Sequence, residues 1–169
     1  LSEPSQEIYE EISHLYCELA ERELQKTTPD FERLLLWLEK AELAEPNTAR
    51  ISLIKAFTLV EPSRYEEALS SLLAIEHQQP KLLPIALPIL YDLSFLLGRE
   101  EPFSDWLDAQ IAKPESHISF KFWRAHLLVY RRSMAEGIAY LESALEGESN
   151  LRGLMLLNRL LRYGKDSEN

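Results

Sequence analysis

Asn47-Thr48-Ala49-Arg50-Ile51-Ser52-Leu53-Ile54-Lys55-Ala56-Phe57, then Arg64-Tyr65-Glu66-Glu67-Ala68-Leu69: both runs lie between Pro46 and Pro80, two prolines 34 residues apart. Apolar residues recur in them at three- and four-residue steps, the interval that lines one face of an α-helix. Counting Ala49 as position 1 puts Ala56 at 8, Tyr65 at 17, Ala68 at 20, Ile75 at 27 and Pro80 at 32. The small side chains at 8 and 20 have a physical purpose. They sit where two antiparallel helices cross, and a short side chain there lets the backbones approach. The proline lacks a backbone donor, so it ends the second helix and starts the next connection.

This is the layout of a tetratricopeptide repeat, a helix hairpin with a period of about 34 residues. It recurs more loosely on both sides. Upstream, Phe31-Glu32-Arg33-Leu34, Ala41 and Pro46 repeat the second-helix layout. Ala20 takes the small position of the preceding helix, with an insertion around Lys26-Thr27-Thr28. Downstream, Met134-Ala135-Glu136-Gly137-Ile138 opens another second helix, with Gly137 at the small position and Ala144 seven residues on, as Ile75 follows Ala68. The unit between, with Gly98, Trp106 and Ile111, is degenerate. Ser63-x-x-Glu66 and Ser133-x-x-Glu136 read as capping boxes. Thr28 before Pro29, Asn47 and Ser116 read as further N-caps. Pro84 and Pro88 require a helix that starts near the first or bends at the second. The expectation is an all-α chain of about nine helices, stacked as antiparallel hairpins into a tetratricopeptide-repeat α-solenoid. Residues 1–169 are read as a single domain of this kind.

Composition agrees. A chain of 169 residues with 46 % hydrophobic and 27 % charged residues is globular rather than disordered. Only 5 glycines disfavour an all-β fold with many tight turns. The lone Cys17 excludes an internal disulfide. No apolar run is long enough to span a membrane, and no signal peptide is visible. The first residue is Leu1, and the chain is read as a fragment of a longer protein. A net charge of −10 argues against nucleic acid as a partner, because phosphate contacts dominate that affinity. The charge is uneven: residues 1–118 carry 22 acids against 10 bases, residues 119–169 carry 6 against 8. Such a gradient orients a partner at most, and its simplest meaning is a solvated helical surface.

Nothing converges on catalysis. His14, His77, His117 and His126 form no H-x-x-x-H or H-E-x-x-H pair. His14 and Cys17 share a helix face, but two ligands do not make a metal site, and a lone helical cysteine is ordinarily a small buried apolar group. Phosphate-cradling glycine loops and nucleophile elbows are missing. Glu10-Glu11, Glu66-Glu67 and Glu100-Glu101 are neighbours whose side chains diverge on a helix. Trp37, Trp106 and Trp123 follow the apolar period and read as core. We therefore assign no catalytic residue, no metal and no cofactor, and read the chain as not an enzyme. A helical array offers a wall instead, lined by positions 2, 5, 9 and 12 of each first helix. In the clear repeat these are Arg50, Leu53, Phe57 and Val60; in the next they are Pro84, Leu87, Tyr91 and Ser94. Arg50, Leu53, Phe57, Val60, Leu87 and Tyr91 are the candidate partner-binding residues. An apolar and aromatic groove with one arginine suits a peptide or helix of a partner protein. The same residues also serve simply to pack the superhelix. The lysines and asparagines needed to clamp a C-terminal carboxylate are missing.

Two strings go beyond the generic repeat. His14-Leu15-Tyr16-Cys17-Glu18-Leu19-Ala20 and Asn47-Thr48-Ala49-Arg50-Ile51-Ser52, with Arg64-Tyr65-Glu66-Glu67-Ala68-Leu69-Ser70-Ser71-Leu72, resemble the lipopolysaccharide assembly protein B family. The likeness runs from Glu7 to Gly164 and thins after Pro80. The resemblance implies an adaptor at the cytoplasmic face of the inner membrane of a Gram-negative bacterium. Such an adaptor links a membrane AAA+ protease to the deacetylase that commits precursors to lipid A, and so regulates lipopolysaccharide synthesis. It also implies an N-terminal membrane helix and a C-terminal rubredoxin-type module, neither of which this sequence contains. Membrane attachment is expected only through that missing helix. The alternative is a generic tetratricopeptide co-chaperone or assembly adaptor unrelated to the envelope.

Overall fold

The computed structural model describes residues 5–131, 133–146 and 150–166, the last four of them by backbone alone. Among these residues there is no strand. Nine α-helices follow in order: α1 (Gln6–Leu24), α2 (Phe31–Ala44), α3 (Ala49–Val60), α4 (Tyr65–Gln78), α5 (Leu83–Leu96), α6 (Glu100–Ile111), α7 (Ile118–Arg131), α8 (Met134–Leu145) and α9 (Leu151–Asp166). One 3₁₀ turn, Pro80–Leu82, precedes α5. The all-helical repeat of paired helices is the expected one.

The chain falls into two compact units, Leu1–Gly98 and Arg99–Asn169. In the first, α1 packs on α2 and α3 on α4, with α2 against α3 and α4 against α5. In the second, α6 packs on α7, α7 on α8, and α8 on α9. The crossing positions behave as the spacing requires. Ala20, Ala56 and Ala68 are completely buried. In the second unit the crossing is tighter still: a β-carbon on Gly137 would lie 2.3 Å from Val129 Cγ2 and 3.0 Å from the Ala125 carbonyl oxygen. Ala125, also fully buried, stands twelve residues before Gly137, as Ala56 stands before Ala68.

Helix ends follow the prolines, but several caps differ from expectation. α2 is capped by Asp30, whose side chain accepts from the Arg33 N–H at 3.0 Å, and not by Thr28. Asn47 adopts φ 63°, and Thr48 is the residue that precedes α3. Ser63 does not cap α4. It sits at φ 61° and closes the C-terminus of α3, with Ser63 N donating to Val60 O and Arg64 N to Leu59 O. This paired C-terminal motif needs a left-handed residue, and Ser63 fills that place. Ser133 caps α8 as read, accepting from the Glu136 N–H at 3.1 Å. At α7 the ring of His117, not Ser116, accepts from the Ser119 N–H. α5 begins beside Pro84 and contains Pro88.

The cores are aliphatic. Cys17, Ala20, Leu34, Leu38, Ala41, Ile51 and Ile54 form one cluster, with Trp37 half-buried against it. Phe122, Ala125, Leu141, Leu145 and Leu160 form another. Trp106 stacks on Phe103 at 5.8 Å and meets Phe120 edge-on at 6.1 Å. Trp123 lies 5.3 Å from the ring of His126.

Candidate partner-binding site

Arg50 enters on the first turn of α3 and points back to α1. Its Nε donates to Glu21 Oε1 at 3.0 Å and its Nη2 to Glu21 Oε2 at 2.9 Å, a two-pronged bond that suits a guanidinium. Nη2 also donates to Glu18 Oε1 at 2.9 Å, and Nη1 lies 2.7 Å from His14 Nδ1. A guanidinium cannot accept, so Nδ1 of His14 must carry the lone pair here. The Glu21 and Glu18 bonds push the Arg50 proton affinity up still further. The Arg50 bond holds the Glu18 carboxyl below the usual carboxylate range. The lone groove arginine of the sequence reading is therefore a tie between α1 and α3, with its charge already answered.

About two turns further along α3, Phe57 presents a ring 48 % exposed. It faces an open cleft of about 660 Å³ lined by Glu21, Leu24, Gln25, Pro29, Phe31, Phe57 and Glu61. The floor is apolar and the rim is acidic. The inserted loop between α1 and α2 supplies Pro29, and a buried carboxylate fixes that loop. Glu23 accepts from Lys26 Nζ at 2.5 Å and from the Asp30 N–H at 3.2 Å. The Lys26 bond holds the Glu23 carboxyl below its ordinary value. Leu53 and Val60 are half-buried.

The second predicted wall is corrected. Leu87 is completely buried and Ser94 nearly so, so neither faces a partner. Tyr91 is half-buried, with its ring 4.4 Å from Phe95. The outward line of α5 runs instead through Ile85, Pro88 and Asp92. It has the same steps of three and four as Arg50, Leu53 and Phe57, displaced by one residue. The 34-residue interval itself is kept, since α3 begins at Ala49 and α5 at Leu83, and the buried Ala49, Ser52, Ala56 and Leu59 recur as Leu83, Ala86, Leu90 and Leu93; what differs is which side of that line is covered.

Sequence reasoning missed Leu24, Pro29, Phe31, Glu21 and Glu61. The only signal was the insertion near Lys26, which breaks the repeat where the cleft is built. Cys17 is buried, and burial pushes its thiol up, away from reactive thiolate. Among the described residues no three His, Cys, Asp or Glu side chains gather as a metal site, and no helix is long and apolar enough to cross a membrane.

Against known proteins, the chain shows a distant relationship to lipopolysaccharide assembly protein B. It is 28 % identical over 101 residues to the proteins of that name from Escherichia coli K12, O6:H1 and O157:H7. The match covers 60 % of this chain and 25 % of each relative. The chain thus spans about a quarter of the length of the curated relatives it matches. No protein-family profile matches it.

Proposed function

We propose that this chain is a non-catalytic protein-binding scaffold that serves lipopolysaccharide assembly, and that it holds a partner segment in the cleft beside Phe57. The observation that carries the reading is a half-exposed aromatic ring over an apolar floor, held on helices by a fixed polar network. Aromatic residues in such settings supply a large share of binding energy at protein interfaces. The distant relationship to lipopolysaccharide assembly protein B supports the pathway. The finer form of the proposal is an adaptor at the cytoplasmic face of the inner membrane. It brings a membrane AAA+ protease to the deacetylase that commits precursors to lipid A.

The test is capture of the purified protease and deacetylase by the immobilised chain, wild type against Phe57→Asp. Phe57 is exposed enough that this change spares the core. Loss of about 2 kcal/mol of binding is expected, the scale of an interface hot spot. Capture that survives the substitution removes the cleft from the proposal. Capture of neither protein removes the adaptor role.

A further inference from the structure

We propose that two copies of this chain associate head to tail, with an apolar seam on α1 of one copy seated on an apolar seam on α9 of the other. Each of these helices is packed on one side only within its own unit. α1 buries Ser13, Cys17 and Ala20. On its other side Ile8, Ile12, Leu15 and Leu19 are exposed by 46, 36, 55 and 41 %. α9 buries Gly153 and Leu160; a β-carbon on Gly153 would strike Leu145 and Phe122. It exposes Leu151, Leu154, Met155 and Leu161 by 72, 50, 59 and 39 %. Single exposed leucines are ordinary on any surface. Here they align. Ile8, Ile12, Leu15 and Leu19 step by four, three and four; Leu151, Leu154 and Leu161 step by three and seven, with Met155 beside them and the polar Asn158 filling the place between. Those steps make the seam of two packed helices.

Charge chooses the occupant. α1 carries Glu7, Glu10 and Glu11, besides Glu18 and Glu21 held by Arg50 and Glu23 held by Lys26, against one arginine, Arg22. α9 carries Arg152, Arg159, Arg162 and Lys165 against one acid, Asp166. Two other arginines of the second unit are paired within it: Arg124 with Asp108 at 3.0 Å and Arg131 with Glu101 at 3.0 Å. Four of the eight lysines and arginines of residues 119–169 lie on α9. Joining α1 to α1 sets acid against acid, and α9 to α9 sets base against base. Only α1 on α9 pairs opposite charges along matching apolar seams, and like-charge juxtaposition is how interfaces reject wrong partners. A contact between two different patches leaves one patch of each kind open, so the assembly grows or closes as a ring. This inference is independent of the cleft beside Phe57.

Sedimentation of the whole chain over a concentration series tests it. The mean mass is expected to rise with concentration and to fall back when salt is raised, because the charges that select the pairing are exposed. Leu15→Glu with Leu19→Glu on α1 blocks one seam; Leu154→Glu with Met155→Glu on α9 blocks the other. Each variant alone is expected to stay monomeric, and their mixture to form a one-to-one dimer and nothing larger. A milder pair guards against misfolding. Arg162→Glu is expected to weaken association about tenfold, and Glu11→Arg in the other copy to restore it. A wild type that is monomeric at every concentration overturns the proposal. So does a blocked variant that still associates alone, or a mixture that stays monomeric.

Discussion

The α3–α4 and α7–α8 hairpins share a ruler and differ in how close their helices come. Each has its two crossing residues twelve apart, Ala56 with Ala68 and Ala125 with Gly137. The first pair accommodates two methyl groups. At the second, one methyl group would press on Val129 and on a backbone carbonyl. The starts of the second helices differ as well. Ser63 and Ser133 open the same S-x-x-E string, yet only Ser133 caps its helix. Counting back four residues from the crossing residue explains this. Four before Gly137 is Ser133, but four before Ala68 is Arg64. Ser63 stands one residue too early and is used by the end of α3 instead. The lesson is that the crossing residue sets the frame, and a capping string works only when it falls in that frame.

The sharpest way to break this comparison is Gly137→Leu. Overpacking at a backbone contact is expected to cost about 3 kcal/mol in urea unfolding. Full stability would mean that the α7–α8 crossing is no tighter than that of α3–α4. Gly137→Ala tests the same point more finely. Alanine favours a helix over glycine by about 1 kcal/mol, while a tight contact costs about 1–3 kcal/mol. A net loss of about 1 kcal/mol is expected, and a gain would show that Val129 yields freely.

The two serines are expected to respond with opposite signs. Ser133→Ala removes a cap and should cost about 1 kcal/mol. Ser63→Gly relieves a left-handed residue and should raise the thermal midpoint, by about 0.5–1 kcal/mol of stability. Equal responses would contradict the frame argument.

The smallest effect separates the two units by acid. Glu18, Glu23 and Glu67, all in the first unit, are held below ordinary carboxylate values, chiefly by hydrogen bonds from Arg50, Lys26 and Arg64. A carboxyl lowered on folding stabilises the protein above its unfolded value. That contribution is lost as pH falls through the ordinary range, about pH 4, towards the lowered one. Hydrogen exchange is expected to show amides of α1 and α2 loosening first on acidification, with Glu23→Gln reducing the pH dependence. Uniform loosening of both units would contradict this assignment.

Much of this was legible beforehand. Gly137 marks its crossing because a side chain there would strike Val129 and the Ala125 carbonyl, and Ala56 and Ala68 are fully buried at theirs; that preference for small residues is written into residue type. Pro46 and Pro80 end helices for a similarly local reason. The wall on α5 was misread at Leu87 because the two helices bury different flanks of the same buried line: α3 covers the side of Ile51 and Ile54, α5 the side of Leu87 and Ser94. Arg50 was misread because its partners lie 29 and 32 residues away on α1.

By itself the amino-acid order determined that the chain is helical, that its helices pair, and where the pairs cross. These follow from side-chain size and period, which act over a few residues. Only the packed structure decided which residues face outward on α5, that Arg50 is a tie and not a handle, and that the inserted loop lays Pro29 beside Phe57. Those outcomes depend on rotation and on distant partners, and no local rule contains them.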